Sequence, residues 1–329
     1  MTHYRLTLAF CCLTSLLSAQ QPDLPPAPGR LIDVGGRRLH IICSGQGAPT
    51  VVLEAGASSF AIDWTLVQRD LARTTRVCSY DRAGMGWSDS ATTSTRVSAA
   101  RDLHNLLATA GERPPYLMVG ASRGGLLVRA YALDYPDDVI GLVLVDPSSE
   151  DRLFVMVDGQ AMLFAALTPA QLQSTLPTQP VAVPRRSPQT GPPFDKLPAD
   201  LYRLRVRLDE RLIASIPDTV SPEAIAAFQD AERLFLSKLL ASRATAHPLG
   251  NRPTVVLSRG DERNEGRETA HAGLARLSTN SRHSVVAGAG HEIHLFEPAA
   301  VVRAVTDVLQ AIRGKTQLPP EPLRDVRWR

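Results

Sequence analysis

Tyr116-Leu117-Met118-Val119-Gly120-Ala121-Ser122-Arg123-Gly124-Gly125 reads as an apolar strand that breaks, through Gly-x-Ser-x-Gly, into a helix. The next apolar residues, Leu126, Leu127, Ala130, Tyr131 and Leu133, recur at three- and four-residue spacing, the stripe of a buried helix. A residue pinned at so sharp a turn has strained backbone geometry, and side chains two positions either side would obstruct it. Gly120 and Gly124 fill those positions. The turn lifts the Ser122 hydroxyl off the sheet edge and leaves the Arg123 backbone N–H at a helix N-terminus, where developing negative charge is favoured. Such a short string also arises by chance in ordinary loops. Here a strand before it and a helix after it make Ser122 a candidate nucleophile.

Outward from this elbow, short apolar strands recur at 38–43, 50–54, 75–80, 141–146, 254–259 and 283–287. Only the turn Ser44-Gly45-Gln46-Gly47-Ala48-Pro49 separates the first two, whereas later strands alternate with helix-like stretches. This order predicts an α/β fold whose mixed sheet is antiparallel at its start and parallel thereafter, with helices on both faces. Across 150–248 the alternation stops. Prolines punctuate the first half of that stretch, and helix patterns cover 199–216 and 222–243. An insertion between two strands reads as a helical cap or lid, because loops at the carboxyl ends of parallel strands surround the site. For 168–198 alone a disordered linker is the alternative. The expected division is therefore a core over 31–149 and 249–313, a cap over 150–248 and a loose tail over 314–329.

The chain has 329 residues, 44% of them hydrophobic, and a net charge of +3. It is long enough for one large core or two smaller ones. No Lys/Arg run is interleaved with aromatics, so a nucleic-acid partner is not expected. Residues 1–19 combine a weakly basic start (His3, Arg5), an apolar run over 6–17 and small residues Ser18 and Ala19, the shape of a cleaved secretory signal. The apolar run is about 12 residues, short of the roughly 20 that span a bilayer. No stable membrane insertion of the mature chain is expected, and the location reads as secreted or periplasmic. Residues 20–30 form a proline-rich leader. Cleavage removes Cys11 and Cys12 and leaves Cys43 and Cys78, a pair that an oxidising compartment invites to bridge. Two buried thiols are the alternative.

A serine hydroxyl needs a base within hydrogen-bond reach and a carboxylate to orient that base. Of eight histidines, His291 follows the last strand within Gly288-Ala289-Gly290-His291, ahead of a terminal helix. His294 is the competitor and reads as a structural or pocket histidine. Arg123 and the Asp81-Arg82 pair read as helix-start or loop salt bridges in preference to substrate-binding cations, and Trp64 and Trp87 as packing residues.

Together these residues give the chain a resemblance to the α/β-hydrolase superfamily from about 31 to 313. The resemblance rests on Gly120-Ala121-Ser122-Arg123-Gly124-Gly125, on Tyr80-Asp81-Arg82-Ala83-Gly84-Met85-Gly86-Trp87-Ser88-Asp89, and on Gly290-His291 before Glu297-Pro298. It implies a mostly parallel eight-stranded sheet, the chain order Ser, acid, His, and a cap inserted after the sixth strand. It also implies that the strands bearing Cys43 and Cys78 are neighbours. An oxyanion hole is implied at the N–H groups of Ala57 and Arg123, although Glu54-Ala55-Gly56-Ala57 lacks the histidine common in that loop. The acid is ambiguous. Many relatives place it three residues after the glycine of the seventh strand, where Gly260-Asp261-Glu262-Arg263 has arginine. Asp261 and Glu262 are out of register there, and Asp146 at the end of the sixth strand is the other candidate.

The function expected is hydrolysis of a small-molecule carboxylic ester through an acyl-enzyme, with no metal and no organic cofactor. An aspartate nucleophile would have indicated dehalogenase or epoxide hydrolase chemistry, and Ser122 argues against both. Peptidase, lactonase, perhydrolase and C–C hydrolase activities stay open, because cap and pocket set the substrate. A ligand-binding or receptor protein on the same scaffold is the alternative of a different class, supported by the out-of-register acid.

Overall fold

A computed structural model of the chain describes residues 24–90, 96–262 and 264–319. The expected signal segment and the last ten residues lie outside them. The first half of the core runs β1 (Arg30–Asp33), β2 (Arg38–Ser44), β3 (Thr50–Glu54), α1 (Thr65–Leu71), β4 (Val77–Tyr80), α2 (Arg96–Ala110), β5 (Tyr116–Ala121), α3 (Arg123–Asp134) and β6 (Val139–Val145). The inserted region then holds β7 (Phe154–Val157), β8 (Gln160–Leu163), α4 (Pro169–Ser174), β9 (Val181–Ala182), α5 (Ala199–Ser215), β10 (Thr219–Val220) and α6 (Pro222–Ser242). The core closes with β11 (Thr254–Gly260), α7 (Glu265–Ala275), β12 (Ser281–Ala287), α8 (Ile293–Phe296) and α9 (Pro298–Gly314).

Eight strands form one sheet in the order β1-β2-β4-β3-β5-β6-β11-β12. The β1/β2 and β2/β4 pairs are antiparallel and the remaining pairs parallel. Because side chains alternate along a strand, the continuous apolar runs of the central strands feed two cores. Leu117, Val119, Ala121, Val143 and Val145 pack with α1 and α9, whereas Met118, Leu142 and Leu144 pack with α2, α3 and α7. Each buried Val or Leu contributes about 1.5–3 kcal/mol, against about 0–1 kcal/mol for an exposed ion pair. The ends of β5 and β6 are therefore held by the two cores beneath them. Cys43 and Cys78 stand opposite each other across β2 and β4 and are joined as a disulfide.

The inserted region differs from an all-helical cap. It also contains two short antiparallel pairs, β7 with β8 and β9 with β10. Phe154 and Met156 in β7 are exposed although apolar, so β7 shows no apolar/polar alternation to read. Two further departures lie at the ends. In the leader, the Pro25 carbonyl accepts from Trp87 Nε1 at 2.9 Å, and Leu24 and Ala27 pack beside Trp87. In the tail, Leu318 N–H donates to Asn280 Oδ1 at 2.8 Å and Arg282 Nη1 to the Pro319 carbonyl at 2.9 Å. Neither helix nor strand forms over 24–29 or 315–319, yet both pieces pack on the core.

Two kinds of contact join the insertion to the core. Phe235, Leu236 and Leu239 of α6 pack on Leu126, Leu127 and Ala130 of α3. Beside them Arg129 of α3 makes a bidentate pair with Glu150 at 2.7 Å, and Arg243, just past α6, donates to Glu150 at 2.6 Å and to Asp151 at 2.8 Å. Burial works to raise the Glu150 carboxyl, but the two guanidinium groups outweigh it and hold it down at about 2. That pairing stabilises the fold above the ordinary pKa of 4.5 and is lost as pH falls through about 2. Glu150→Gln, which leaves Arg129 buried without its counter-charge, is expected to lower the unfolding free energy by roughly 3–5 kcal/mol. Urea titrations at pH 6 and pH 3 check this: the wild type should lose more stability over that interval than the variant, and equal losses would contradict the assignment.

Candidate active site

Ser122 sits between β5 and α3 with φ 51° and ψ −119°. A non-glycine residue with positive φ costs on the order of 1–3 kcal/mol and persists only where its surroundings fix it. They do so here through three hydrogen bonds. Ser122 N–H donates to the Val145 carbonyl at 2.9 Å, and the Ser122 carbonyl accepts from Ser148 N–H at 2.9 Å and Gly125 N–H at 3.0 Å. The flanking glycines are required by close backbone approach. A Cβ on Gly120 would lie 2.5 Å from the Gly124 carbonyl oxygen, and one on Gly124 would lie 2.5 Å from that of Glu54. Gly125 adds a constraint the motif does not announce, since a Cβ there would meet Pro147 at 2.6 Å. The elbow is thus wedged between the ends of β3 and β6.

The neighbouring strand ends in a second left-handed residue, Asp146, with φ 39°. Its N–H donates to the Leu257 carbonyl of β11 at 2.7 Å, continuing the ladder by one rung. The Asp146 carboxylate, 4% exposed, accepts from Arg259 N–H at 3.1 Å through Oδ1 and from His291 Nδ1 at 2.6 Å through Oδ2. Burial alone would raise this carboxyl, but the His291 and Arg259 hydrogen bonds hold it below the usual carboxylate range. The same hydrogen bond raises the His291 imidazole above its ordinary value, against the opposing effect of burial. With Nδ1 donating to Asp146, the neutral ring leaves Nε2 as its acceptor.

Asp261 and Glu262 are exposed. The Asp261 carboxylate accepts from Glu262 N–H at 2.8 Å and lies 3.7 Å from Arg259 Nε. It is thus Asp146, at the end of β6, whose carboxylate meets His291. His294 is buried, with its ring 4.5 Å from that of Trp64, and burial pushes its pKa down to about 3. A further histidine, His271, carries no signal in the sequence. It donates through Nε2 to the Pro147 carbonyl at 2.8 Å and accepts the Ser258 hydroxyl at Nδ1 at 2.6 Å, an assignment that follows from the network. Burial lowers His271 to about 4, so it stays neutral while it holds the turn after Asp146.

The loop after β3 borders the elbow: a Cβ on Gly56 would lie 3.6 Å from Ser122 Cβ. The segment that follows β4 braces this loop. Asp81 is buried and accepts from Ala61 N–H at 2.8 Å and from His40 Nδ1 at 2.7 Å. Arg82 pairs with the buried Glu54 and donates to the Ala55 carbonyl at 2.7 Å and to the Gly56 carbonyl. Tyr80 donates its hydroxyl to the other oxygen of Glu54. Trp64 and Trp87 both lie in apolar clusters. A cavity of about 190 Å³ opens beside Ala57 and Arg123, with Met85, Leu127 and Phe228 among its walls. Among the described residues, the group of His, Cys, Asp or Glu near enough to share a metal ion is Cys43, Cys78 and Glu112, and both sulfurs there are tied up in the disulfide.

Comparison with known proteins agrees with this architecture. The family model described as alpha/beta hydrolase fold matches residues 48–298. Over 107 residues the chain is 36% identical to an AB hydrolase superfamily protein of Gibberella zeae, covering 31% of this chain and 33% of that one. Over 137 residues it is 34% identical to a fluoroacetate dehalogenase of a Burkholderia species, covering 39% and 44% respectively. The chain spans less than half the length of the curated relatives it matches. Among solved structures, a thermophilic esterase from Thermogutta terrifontis superposes with a TM-score of 0.56 at 21% identity, covering 86% of this chain and 97% of that one. At that identity the likeness speaks for the fold alone. With a family match over most of its length and the eight-stranded sheet described above, the chain belongs to the alpha/beta hydrolase fold family.

Proposed function

We propose that the protein is a serine hydrolase that cleaves carboxylic esters, with Ser122 as nucleophile, His291 as general base and Asp146 as the carboxylate that orients it. The observation that carries this reading is the 2.6 Å hydrogen bond from His291 Nδ1 to Asp146, made at the sheet edge where Ser122 stands in a left-handed turn. In this mechanism His291 Nε2 takes the Ser122 proton as Oγ attacks the ester carbonyl carbon. The carbonyl π electrons move onto oxygen, and the N–H groups of Ala57 and Arg123 receive the oxyanion, each such donor contributing roughly 3 kcal/mol. His291 then protonates the departing alcohol. Water, deprotonated by the same imidazole, cleaves the acyl-enzyme and regenerates Ser122.

The hydrogen bond that raises His291 also stabilises the imidazolium formed at each proton transfer. Support for a non-catalytic scaffold came from the out-of-register acid near 261, and the Asp146–His291 contact weighs against that alternative. A serine at the elbow favours acyl transfer over the dehalogenation named for the Burkholderia relative. The Cys43–Cys78 disulfide fits the secreted or periplasmic location expected from the N-terminal segment. The cavity beside Ala57, walled by Arg82, Asp102 and Arg123 as well as by Met85, Leu127 and Phe228, is small enough to favour a compact ester arm. Its volume is about 190 Å³.

A fluorophosphonate probe is expected to label the wild type and not Ser122→Ala; a folded wild type that takes no label would overturn the assignment. Asp146→Asn should lower kcat by about 10³-fold or more, while Asp261→Asn stays within about threefold. The reverse order would move the acid to 261. The rate should rise with pH as His291 loses its proton, with that limb above the ordinary histidine value of 6.5. Asp146→Asn should shift the limb towards acid, and an unmoved limb would contradict the pairing. Across p-nitrophenyl esters, kcat/KM should fall at least about tenfold from butanoate to palmitate, and Phe228→Ala should narrow that gap.

A further inference from the structure

We infer that Arg82 is a positioning residue for the acyl-transfer step, aiming the Ala57 N–H by clamping the carbonyls behind it. The inference rests on the serine-hydrolase reading above. Arg82 is 13% exposed, and its place is fixed by Glu54, the last residue of β3, 1% exposed and itself bound by the Tyr80 hydroxyl. From there Nη1 donates to the Ala55 carbonyl at 2.7 Å and Nη2 to the Gly56 carbonyl, with the Ala57 carbonyl 3.4 Å away. One planar fork therefore holds consecutive carbonyls on one side of the loop.

In a trans peptide the C=O and the following N–H point in opposite directions. A Gly56 carbonyl turned toward Arg82 consequently turns the Ala57 N–H away from it. Among the described residues that N–H has no hydrogen-bond partner. The loop needs such a clamp because Gly56 has no Cβ to bias its backbone, so a flip of the Gly56–Ala57 peptide meets little steric resistance. The loop runs close to the elbow here, where a Cβ added to Gly56 would lie 3.2 Å from Ser59 Oγ and 3.6 Å from Ser122 Cβ. Arginine suits this task because its donors lie in a rigid fork, whereas lysine offers a point charge on a mobile stem. Arg82 thus acts on the reaction through the loop backbone that it holds.

The test compares the full-length wild type with Arg82→Lys, Arg82→Met and the double variant Glu54→Gln/Arg82→Met, which leaves no buried carboxylate without its partner. With p-nitrophenyl butanoate, folded Met variants are expected to lose about 10- to 100-fold in kcat with KM within about threefold. Inhibition by phenylboronic acid, whose serine adduct places an oxygen where the oxyanion forms, should weaken by a similar factor. Guanidinium ion at millimolar concentration should restore part of the lost kcat to Arg82→Met, and Arg82→Lys should fall between wild type and Met. Folded variants that keep wild-type kcat would overturn the inference, as would a loss confined to KM with boronate inhibition unchanged. A wild type that hydrolyses no ester and takes no fluorophosphonate fails one step earlier, and overturns the esterase reading along with it.

Discussion

A Cβ at Gly124 would sit 2.5 Å from the carbonyl oxygen of Glu54, and the rest of the site depends on that space being empty. With no side chain there, the first turn of α3 can approach the end of β3, and Ser122 can hold a left-handed conformation between them. The strain at Ser122 is offset by the β5/β6 ladder, which continues one residue past the strand through Ser122 N–H and the Val145 carbonyl. The next strand repeats the device. Asp146, also left-handed, is tied to Leu257 of β11 by its N–H. Both strained residues lie at the carboxyl edge of the sheet, and both draw their rigidity from apolar strands packed on two faces. Loop chemistry at this edge inherits the precision of the core below it.

Buried charge does a second job around that edge. Glu150 joins Arg129 of the core to Arg243 of the insertion, and Glu54 fixes Arg82 against the loop after β3. A third pair, Asp63 with Arg205 of α5, is fully buried with 3.4 Å between Arg205 Nε and Asp63 Oδ1. Such pairs add little net stability relative to well-packed apolar groups, because desolvation cancels much of the attraction, but breaking one strands a charge. Their value here is geometric. Each specifies which two segments meet, and each joins the site to a segment distant in sequence.

What could be read in the sequence follows the range of the interactions involved. The predicted strand 254–259 is observed as Thr254–Gly260, and the predicted helices 199–216 and 222–243 as Ala199–Ser215 and Pro222–Ser242, because a local apolar period marks each. Strand β1 escaped notice because three of its four residues are exposed, so it shows no buried alternation. The glycines of the elbow were legible because they flank the serine in one short motif, although the contact that requires Gly124 is made with the distant Glu54. The partner of His291 was not, since its hydrogen bond to Asp146 spans 145 residues and Asp261 offered the same chemistry nearer in sequence. His271, Arg129 and Arg205 were illegible for the same reason: each is buried by partners that only the fold brings near.

The central claim is that Ser122 becomes covalently acylated during ester turnover. Mass spectrometry of the enzyme quenched in acid while hydrolysing a p-nitrophenyl ester tests it most directly. The account predicts an acyl mass increment on the peptide that contains Ser122. Ester turnover with that peptide unmodified, or with the acyl group on another residue, would contradict it.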